Sequence, residues 1–462
     1  MGAIILSAVW GVVMMFGGVF FKKASVPKYW AIAGLIIILS ANILEFFGWK
    51  FFNMDTKGML GFDKFGLHFN TIVLFCTLIY FLLNGRDIEK VGKHVSEYFA
   101  LIFFVLCGVA IASSYKTLLM LFLGIEIMSI PLYILTGSDK SNLRSNEASL
   151  KYFLMGAFST GIMLMGIAFL YGGNKLGSFN IDALQLGSGD MPVMIAVGLV
   201  LMVVAMSFKV SAAPFHFWTP DVYDGAPTVF TSFMATIVKI AGFIAFIRLF
   251  KISFGTIQSQ WQILIVIITA ATLLIGNLTA VFQQSVKRML AYSSIAQAGF
   301  MMLALFSLND RANEALLLYA VAYSLASIGI FAIVIKMNDY TIEGFNGLSK
   351  QQPLLALMAT IFLLSLTGIP LTAGFTAKFY MLMAAVKNGH QIWLVILAVL
   401  CAAISAYYYF RVIQAMYFKE AGAQSNHQLD VTPAFKWLLV ITAFLIIVLG
   451  IMPGLIIDWL YY

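Results

Sequence analysis

The chain has 462 residues, of which 61% are hydrophobic and only 10% are charged. A soluble protein carries roughly 25% charged residues, and the surface-to-volume ratio at this length does not allow a core to hide so much apolar surface, so the composition excludes a soluble globular protein. The formal charge of +8 comes from Lys and Arg that sit singly between apolar segments, as loop anchors of a membrane protein do, and this excludes a nucleic-acid-binding surface.

Fourteen apolar segments are each long enough to cross a bilayer, because a spanning helix needs about 20 mostly apolar residues. They cover residues 1–20, 30–50, 66–84, 97–113, 116–136, 147–171, 192–217, 227–250, 261–282, 287–308, 312–336, 353–386, 391–418 and 433–457. The connections are short. We predict an all-α polytopic membrane protein that forms a single transmembrane domain over residues 1–462.

The first segment indicates how the chain enters the membrane. No Lys or Arg precedes the apolar run 1–20, whereas a signal peptide carries its charge first. We therefore expect a retained first helix with its N-terminus outside. This orientation places 14 Lys and Arg in inside loops and 9 in outside loops, with the other five of the 28 within helices, an excess that favours it.

Two predicted helices are interrupted. In the seventh, Pro214 and His216 lie within the apolar run, and in the twelfth Pro370 lies between Gly368 and Gly374. Proline removes a helical hydrogen bond, and in lipid such breaks are tolerated where they line a polar cavity or are covered by protein. One break alone would favour a plain kink, but two at matching places favour an inverted-repeat transporter.

The predicted chain has four parts, two of which are five-helix repeats. In each repeat the break falls on the fourth helix. The predicted parts are helices 1–3 in residues 1–96, a first repeat of helices 4–8 in 97–250, a second repeat of helices 9–13 in 251–420, and a C-terminal helix in 421–462.

Ionisable residues within the predicted helices are the candidate functional residues. Glu126 lies near the middle of helix 5, Lys209 ends the first half of helix 7, Lys239 is central in helix 8, and Lys378 follows the break in helix 12. Such a group costs at least about 2.5 kcal/mol at mid-membrane. Burial favours the neutral form of a lysine, whereas a nearby carboxylate favours the charged form, so such a lysine can bind and release a proton. Glu126 is the obvious partner of Lys209. A structural ion pair is the alternative.

Two further residues stay ambiguous. Lys151 lies about one turn into helix 6, so its long side chain could reach the interface instead of a relay. His216 titrates near physiological pH, but a structural histidine at a helix break is as good an interpretation.

Cofactor sites are not expected in this chain. Cys76, Cys107 and Cys401 each lie alone in an apolar run, and the sequence has no Cys/His spacing for zinc or an iron–sulfur cluster. Neither a Walker-type sequence nor a dinucleotide-binding glycine motif is present. The sequence therefore predicts that no nucleotide binds.

Three motifs resemble the antiporter-like subunits of respiratory complex I. The run KVSAAPFHFWTPDVYDGAPT over residues 209–228 is similar to the family's helix 7–8 signature, in the variant typical of subunit N. The runs KRMLAYSSIAQAG at 287–299 and GIPLTAGFTAKF at 368–379 resemble its helix 10 and helix 12 motifs. The resemblance covers essentially the whole chain, including its length and helix count.

The resemblance implies a proton-translocating subunit of an NADH:quinone oxidoreductase in a bacterial inner membrane. It implies that Glu126 and Lys209 interact, that Lys239 is the central relay lysine and that Lys378 is the terminal one. FMN, the iron–sulfur clusters and the main quinone site would belong to other subunits, and the partners would be other antiporter-like subunits and the small membrane subunits. Many relatives carry His where this chain has Gln297, which puts direct protonation at that position in doubt, although Gln could still order water.

Three other functions remain open at this point. A multi-subunit sodium/proton antiporter shares the family's ancestor, but the 209–228 motif and the short chain argue against it. A structural scaffold is the second, but four ionisable groups buried in a membrane are energetically costly and a scaffold has no need of them. A single-chain solute carrier is the third, and no substrate pocket can be read from the sequence.

Overall fold

The computed structural model describes residues 1–20, 23, 25–184, 191–387, 391–420, 429 and 431–458. Within these residues the chain is helical, and β-pairing is limited to isolated bridges. The predicted all-α polytopic fold is confirmed. The predicted C-terminal segment lies partly outside the described residues, at 421–428, 430 and 459–462.

The helices of the first half begin and end as follows: α1 Gly2–Phe20, α2 Val26–Phe46, α3 Lys64–Ile88, α4 Val95–Ser114, α5 Leu118–Thr136, α6 Leu143–Gly173, α7 Val193–Lys209, α8 Trp218–Gly225, α9 Thr228–Phe233 and, after a π-helical turn over Met234–Val238, α10 Lys239–Ser253. Those of the second half are α11 Gln258–Val281, α12 Val286–Ser307, α13 Asp310–Val334, α14 Leu348–Gln351, α15 Pro353–Thr367, α16 Ala373–Val386, α17 Ile392–Phe418, α18 Pro433–Ile451 and α19 Gly454–Ile457.

Twelve helical stretches in the described part of the chain are long and apolar enough to cross a membrane. The other two predicted crossings correspond to shorter apolar helices, α7 and the pair α15 and α16. These helices are short because a break interrupts each of the two crossings. All fourteen predicted segments therefore have a helical counterpart.

Some helix ends differ from the prediction. The second helix covers Val26–Phe46 instead of 30–50, because Pro27 fits the first turn of a helix and Gly48 takes a positive φ of 96° just after the last turn. The sixth helix starts at Leu143 instead of 147, because the Asn142 side chain accepts a hydrogen bond from the backbone of the first turn.

Burial separates the helices into a core and a periphery. The hydrophobic windows of the α9–α10 crossing and of α13 are wholly buried, and that of α12 is 94% buried. By contrast, α1, α2, α17 and α18 bury about a third or less of theirs. The candidate residues on α10 and α12 therefore lie in the protein interior, away from lipid.

A buried ion pair that the sequence analysis missed joins the end of α3 to the segment after α13. Lys336 Nζ lies 2.7 Å from both carboxylate oxygens of Asp87, and the two side chains are 7% and 6% exposed. Lys336 also lies over the ring of Phe435, 5.0 Å from its centroid. Lys336 ends the predicted segment 312–336, where a lysine is normally a solvated anchor.

Asp87→Ala should destabilise the protein, because it leaves the Lys336 ammonium buried and unpaired. Loss of one partner of a buried pair costs about 3–5 kcal/mol. The measurement is the midpoint of thermal unfolding of the purified protein in detergent, which should fall. Lys90→Ala is the control, since Lys90 is 53% exposed and 4.0 Å from Asp87 and exposed pairs contribute about 1 kcal/mol or less. Equal midpoints for the two variants would contradict a stabilising role.

Candidate functional site

The first helix break is an unwound segment, as predicted. Helix α7 ends at Lys209 and α8 begins at Trp218, because Pro214 has no backbone N–H with which to continue the helix. Within the break, the backbone N–H of Ala213 donates to Thr272 Oγ1 on α11 at 2.9 Å. The freed backbone is thus covered by protein, as the bilayer interior requires.

Lys209 and Glu126 lie close together, but each has its own hydrogen-bonding partner. Lys209 Nζ donates to Ser129 Oγ at 3.0 Å, and Glu126 Oε1 accepts from Thr160 Oγ1 at 2.7 Å. Ser129 is one turn beyond Glu126 on α5, and the Glu126 carboxylate lies within electrostatic range of Lys209. In the described residues the two charges are therefore neighbours without a direct ion pair.

The second helix break is also an unwound segment between two shorter helices. Helix α15 ends at Thr367, Gly368 takes a positive φ of 90°, and α16 begins at Ala373. A Cβ atom at Gly374 would lie 1.8 Å from the carbonyl oxygen of Ser365. Only glycine allows the two half-helices to approach so closely.

Lys378 binds the backbone that this break leaves exposed. In a continuous helix the Leu366 carbonyl would accept from residue 370, but that residue is Pro370, which has no N–H. Lys378 Nζ instead donates to the Leu366 and Thr367 carbonyl oxygens, both at 2.8 Å. Lys378 is 6% exposed and lies over the Phe300 ring, 4.7 Å from its centroid.

Lys239 is the most deeply buried of the candidate residues, at 1% exposure. Its Nζ donates to the hydroxyl of Ser294 on α12 at 2.8 Å and to the carbonyl oxygen of the same residue at 2.9 Å. The Tyr223 ring centroid lies 5.8 Å from the ammonium. The π-helical turn that ends at Val238 places Lys239 at the start of α10, and such turns are frequent at functional sites.

Gln297 belongs to the polar surroundings of both buried lysines, because it shares an acceptor with Lys378 and lies near the residue that binds Lys239. Its Nε2 donates to the Leu366 carbonyl oxygen at 2.9 Å, which is also an acceptor for Lys378. Its Oε1 accepts from the Tyr319 hydroxyl. Gln297 lies three residues beyond Ser294 on α12, the residue that binds Lys239, and so belongs to the site.

Lys151 lies at the protein surface and not among the buried lysines. Its side chain is 42% exposed and pairs with Glu147 at 2.8 Å and with Asp221 at 3.1 Å. These residues, with Arg144, Asp224 and Arg288, line a polar cavity of about 180 Å³. Lys151 therefore faces this cavity and does not belong to the buried cluster.

His216 lies at the first break but outside the hydrogen-bonded cluster. It is 5% exposed, and its ring stacks on Phe217 with centroids 4.6 Å apart. Its backbone carbonyl accepts from Thr219 at 2.9 Å, at the start of α8. In the part of the chain that the structure describes, the His216 ring thus has no hydrogen bond to the other candidate residues.

Two buried cations escaped the sequence analysis. Lys287, at the start of the predicted segment 287–308, is 3% exposed and donates to the carbonyl oxygens of Asp224 and Ala226 at 2.8 and 2.7 Å. Arg248, near the end of the predicted segment 227–250, is 7% exposed and lies 2.7 Å from Asp63. Both occur near the ends of apolar runs, so the sequence carries no signal that separates them from surface anchors.

Comparisons with known proteins place the chain among membrane subunits of respiratory enzymes. The family described as "NADH:quinone oxidoreductase/Mrp antiporter, TM" matches residues 116–405. The chain is 37% identical to NADH-quinone oxidoreductase subunit N of Trichlorobacter lovleyi, over 98% of this chain and 94% of the relative. It is 38% identical to subunit N of Cytophaga hutchinsonii, over 99% of each protein.

Two solved structures share the fold over nearly the whole chain. One is a chain of respiratory complex I from Thermus thermophilus with bound aureothin, which matches with a TM-score of 0.83 and 30% identity over 99% of this chain and 98% of that one. The other is a chain of the Mrp complex from a Dietzia species, with a TM-score of 0.86 and 19% identity over 99% and 95%. The fold alone therefore does not separate the two kinds of complex, whereas the sequence identities favour the first.

Proposed function

The chain belongs to the subunit N family of NADH-quinone oxidoreductases, and we propose that it moves protons across a bacterial inner membrane as one subunit of such a complex. The energy would come from the transfer of electrons from NADH to a quinone in other subunits. We also propose that the N-terminus lies outside, as the distribution of Lys and Arg favours.

The observation that carries this proposal is the polar cluster between two buried lysines. Lys239 binds Ser294 on α12, and Gln297, three residues further along α12, binds the Leu366 carbonyl oxygen that also binds Lys378. Buried lysines are costly in a membrane protein. Two of them joined by hydrogen-bonding groups form a path along which a proton can be bound, passed on and released.

The charge of the cluster favours protons over metal cations as the transported species. Three of the four central candidates are lysines, and only Glu126 is acidic. A sodium ion would be repelled by each charged lysine and would find few carboxylates to replace its water. A proton changes the charge of the lysine that binds it, so that lysine side chains suit proton transport.

Two polar cavities support an entrance on the face that the Lys and Arg distribution places inside. One is the cavity beside Lys151 and Asp221. The other, of about 350 Å³, is lined by Lys287 and Tyr340 among others, and Asp224 borders both cavities. We propose that water in these cavities delivers protons toward the buried cluster.

The redox chemistry of the proposed complex would belong to its partners. Among the described residues, no group of three His, Cys, Asp or Glu side chains could hold a metal ion. Cys76, Cys107 and Cys401 are separate buried thiols, whereas an iron–sulfur cluster needs several thiolates together. We propose that FMN and the iron–sulfur clusters reside in other subunits of a hetero-oligomer that also contains antiporter-like and small membrane subunits.

Purification should distinguish this proposal from its alternatives. Isolated from its native membrane, the chain is expected to bring FMN-containing and iron–sulfur proteins and NADH-oxidising activity with it, whereas the chain expressed alone should show no redox activity. The measurement is mass spectrometry of the purified assembly together with NADH oxidation.

Three outcomes would contradict the proposed function. Co-purification with subunits of a sodium/proton antiporter, without NADH oxidation, would favour that alternative. Recovery of a stable monomer from native membranes would favour a single-chain carrier. A complex that oxidises NADH and pumps normally when the buried lysines are removed would favour a structural scaffold.

A further inference from the structure

Arg248 is a buried cation that the proposed proton path does not use. It lies near the C-terminal end of α10, is 7% exposed, and donates through Nε to the Tyr115 carbonyl oxygen at 2.9 Å and through Nη1 to Asp63 at 2.7 Å. The Tyr115 hydroxyl donates in turn to the Ala245 carbonyl oxygen on α10 at 2.8 Å. Two hydrogen bonds in opposite directions therefore fasten α10 to the loop between α4 and α5.

Arg411 makes the equivalent contact in the other half of the chain. It lies near the C-terminal end of α17, the fifth helix of the second predicted repeat, as Arg248 does in the fifth helix of the first. Arg411 donates to the carbonyl oxygens of Val281 and Gln283 at 2.7 and 3.4 Å. These two residues end and follow α11, the first helix of its repeat, just as Tyr115 follows α4. The same contact thus occurs at matching points of the two predicted repeats.

The loops that the two arginines bind are themselves held in matching ways. The backbone N–H of Leu118, the first residue of α5, donates to the Phe179 carbonyl oxygen at 2.9 Å. That of Val286, the first residue of α12, donates to the Tyr340 carbonyl oxygen at 2.7 Å. In both cases the loop before the second helix is joined to the loop after the third. Each arginine therefore binds a loop that its neighbours hold in place.

The fixed end of α10 determines the direction of the Lys239 side chain. Residues Lys239–Ser253 form one continuous α-helix, so that a fixed point at Arg248 sets the rotation of every side chain on it. Lys239 lies nine residues before Arg248, which is about 13 Å along the helix axis. The contact between Arg248 and Tyr115 therefore reaches Lys239 through a short, unbroken helix.

The other side of Lys239 provides a weaker constraint. Lys239 follows a π-helical turn over Met234–Val238, in which the hydrogen bonds close one residue later than in an α-helix. Rearrangement of this turn into an α-helix would rotate α10 by about 100° about its axis. Such a rotation would take Lys239 away from Ser294, which binds it at 2.8 Å. The direction of Lys239 therefore depends on the contact at Arg248.

We propose that Arg248 is a positioning residue, which holds α10 through Tyr115 in the rotation at which Lys239 meets Ser294. Its effect on pumping rests on the proposed function, because it prepares Lys239 for that role. Arg248 itself transfers no proton, since arginine keeps its proton throughout the working pH range. The planar guanidinium has several donors in a rigid fork, so that it binds the Tyr115 carbonyl oxygen and the Asp63 carboxylate at the same time.

Two cysteines can report the rotation of α10 without any measurement of proton movement. A Cβ atom at Gly242 on α10 would lie 2.9 Å from a methyl carbon of Val210, which follows α7 at the first break. Gly242→Cys and Val210→Cys together therefore bring two thiols within reach of a disulfide. Rotation of α10 by about 100° would point residue 242 away from residue 210.

Arg248→Met should lower the yield of this disulfide at least about tenfold in the whole complex, because cysteines that point apart cannot be bridged. The yield is measured after mild oxidation by mass spectrometry of the linked peptides. Without the two added cysteines, Arg248→Met should also lower proton uptake in reconstituted vesicles about a hundredfold, which is the effect of a displacement of about 1 Å on a positioned group.

Arg411→Met is the matched control for the disulfide, because it removes the equivalent contact from a different helix. Its yield should equal that of the chain with both arginines. Equal yields in Arg248→Met and Arg411→Met would overturn the proposal, and so would the absence of the disulfide when both arginines are present. If Arg248→Met does not assemble, Arg248→Lys replaces it, since lysine keeps the charge beside Asp63 but has no Nε donor for Tyr115. A normal yield in Arg248→Lys would likewise overturn the proposal.

A Lys239→Met complex measured in parallel separates this inference from the proposed function. Normal uptake in Lys239→Met would overturn the proton path, whereas a low disulfide yield in Arg248→Met would still support the control of α10 by Arg248. If Lys239→Met loses uptake and Arg248→Met keeps it, the positioning role of Arg248 in pumping is overturned and the path stays in place.

Discussion

A complex that carries Lys239→Met is expected to assemble but to lose proton uptake at this subunit. Methionine nearly preserves the volume of the lysine side chain, and such exchanges are tolerated in a core. The substitution also removes an amine that is 1% exposed and whose described hydrogen bonds go only to Ser294. Loss of a positioned proton carrier lowers a transfer step by about a hundredfold or more. NADH:quinone turnover should fall as well, because electron transfer and proton movement are coupled in the proposed complex.

The same substitution on the same helix gives a control. Lys251 lies in the last turn of α10, is 41% exposed and pairs with Asp310 at 3.3 Å, and exposed pairs contribute about 1 kcal/mol or less. Lys251→Met should therefore pump and turn over at the wild-type rate. Proton uptake and NADH oxidation are measured in vesicles that contain each assembled complex. If Lys239→Met matches Lys251→Met, Lys239 is a structural residue and not a proton carrier.

The membrane helices and their two breaks could be predicted because their signals are local. Apolar runs of about 20 residues have few alternatives to a spanning helix. Pro214 and Pro370 remove hydrogen bonds from whatever helix contains them, and the structure unwinds at both places. The capture of the Leu366 carbonyl oxygen by Lys378 follows from the same local cause, although its geometry had to be seen.

Contacts between distant segments could not be predicted in this way. Asp87 and Lys336 are 249 residues apart, and nothing near either residue marks it as a member of a buried pair. Lys336 stands at the end of the predicted segment 312–336, where most lysines are solvated anchors. The pairing depends on how α3 and α13 pack, which a hydrophobic pattern does not specify.

The surroundings of Gln297 show the same limit within the candidate site. Its sequence position left open whether it takes part, because Gln does not titrate and the motif alone gives no neighbours. The structure places its amide between Tyr319 on α13 and the carbonyl oxygen at the break after α15. Three separate segments meet there, and only their packing assigns the residue to the site.

Lys209 and Glu126 remain a predicted pair, and their arrangement suggests how they would work. Lys209 donates to Ser129 and Glu126 accepts from Thr160, so a direct ion pair would require one of the two side chains to change its partner. Moving one proton against 100 mV requires about 2.3 kcal/mol, and one pKa unit corresponds to about 1.4 kcal/mol. Making and breaking such a pair in a low-dielectric site could supply a change of this size.

Substitutions at these two residues should therefore impair pumping while the complex still assembles. Lys209→Ala and Glu126→Ala remove one partner each, and we expect proton uptake and NADH:quinone turnover to fall at least about tenfold. Glu126→Asp keeps the charge on a shorter side chain and should retain part of the activity. Lys209→Arg should not restore it, because Arg keeps its proton throughout the working pH range.

The Lys209→Arg variant decides between a proton carrier and a structural charge. An arginine can replace a lysine whose only duty is to pair with Glu126, but it cannot replace one that must become neutral. Lys350→Arg is the control for the exchange itself, since Lys350 is 68% exposed and lies 3.9 Å from Glu420. Uptake and NADH oxidation are measured in vesicles at equal amounts of assembled complex. Wild-type rates in Lys209→Arg would mean that this position needs a positive charge and transfers no proton.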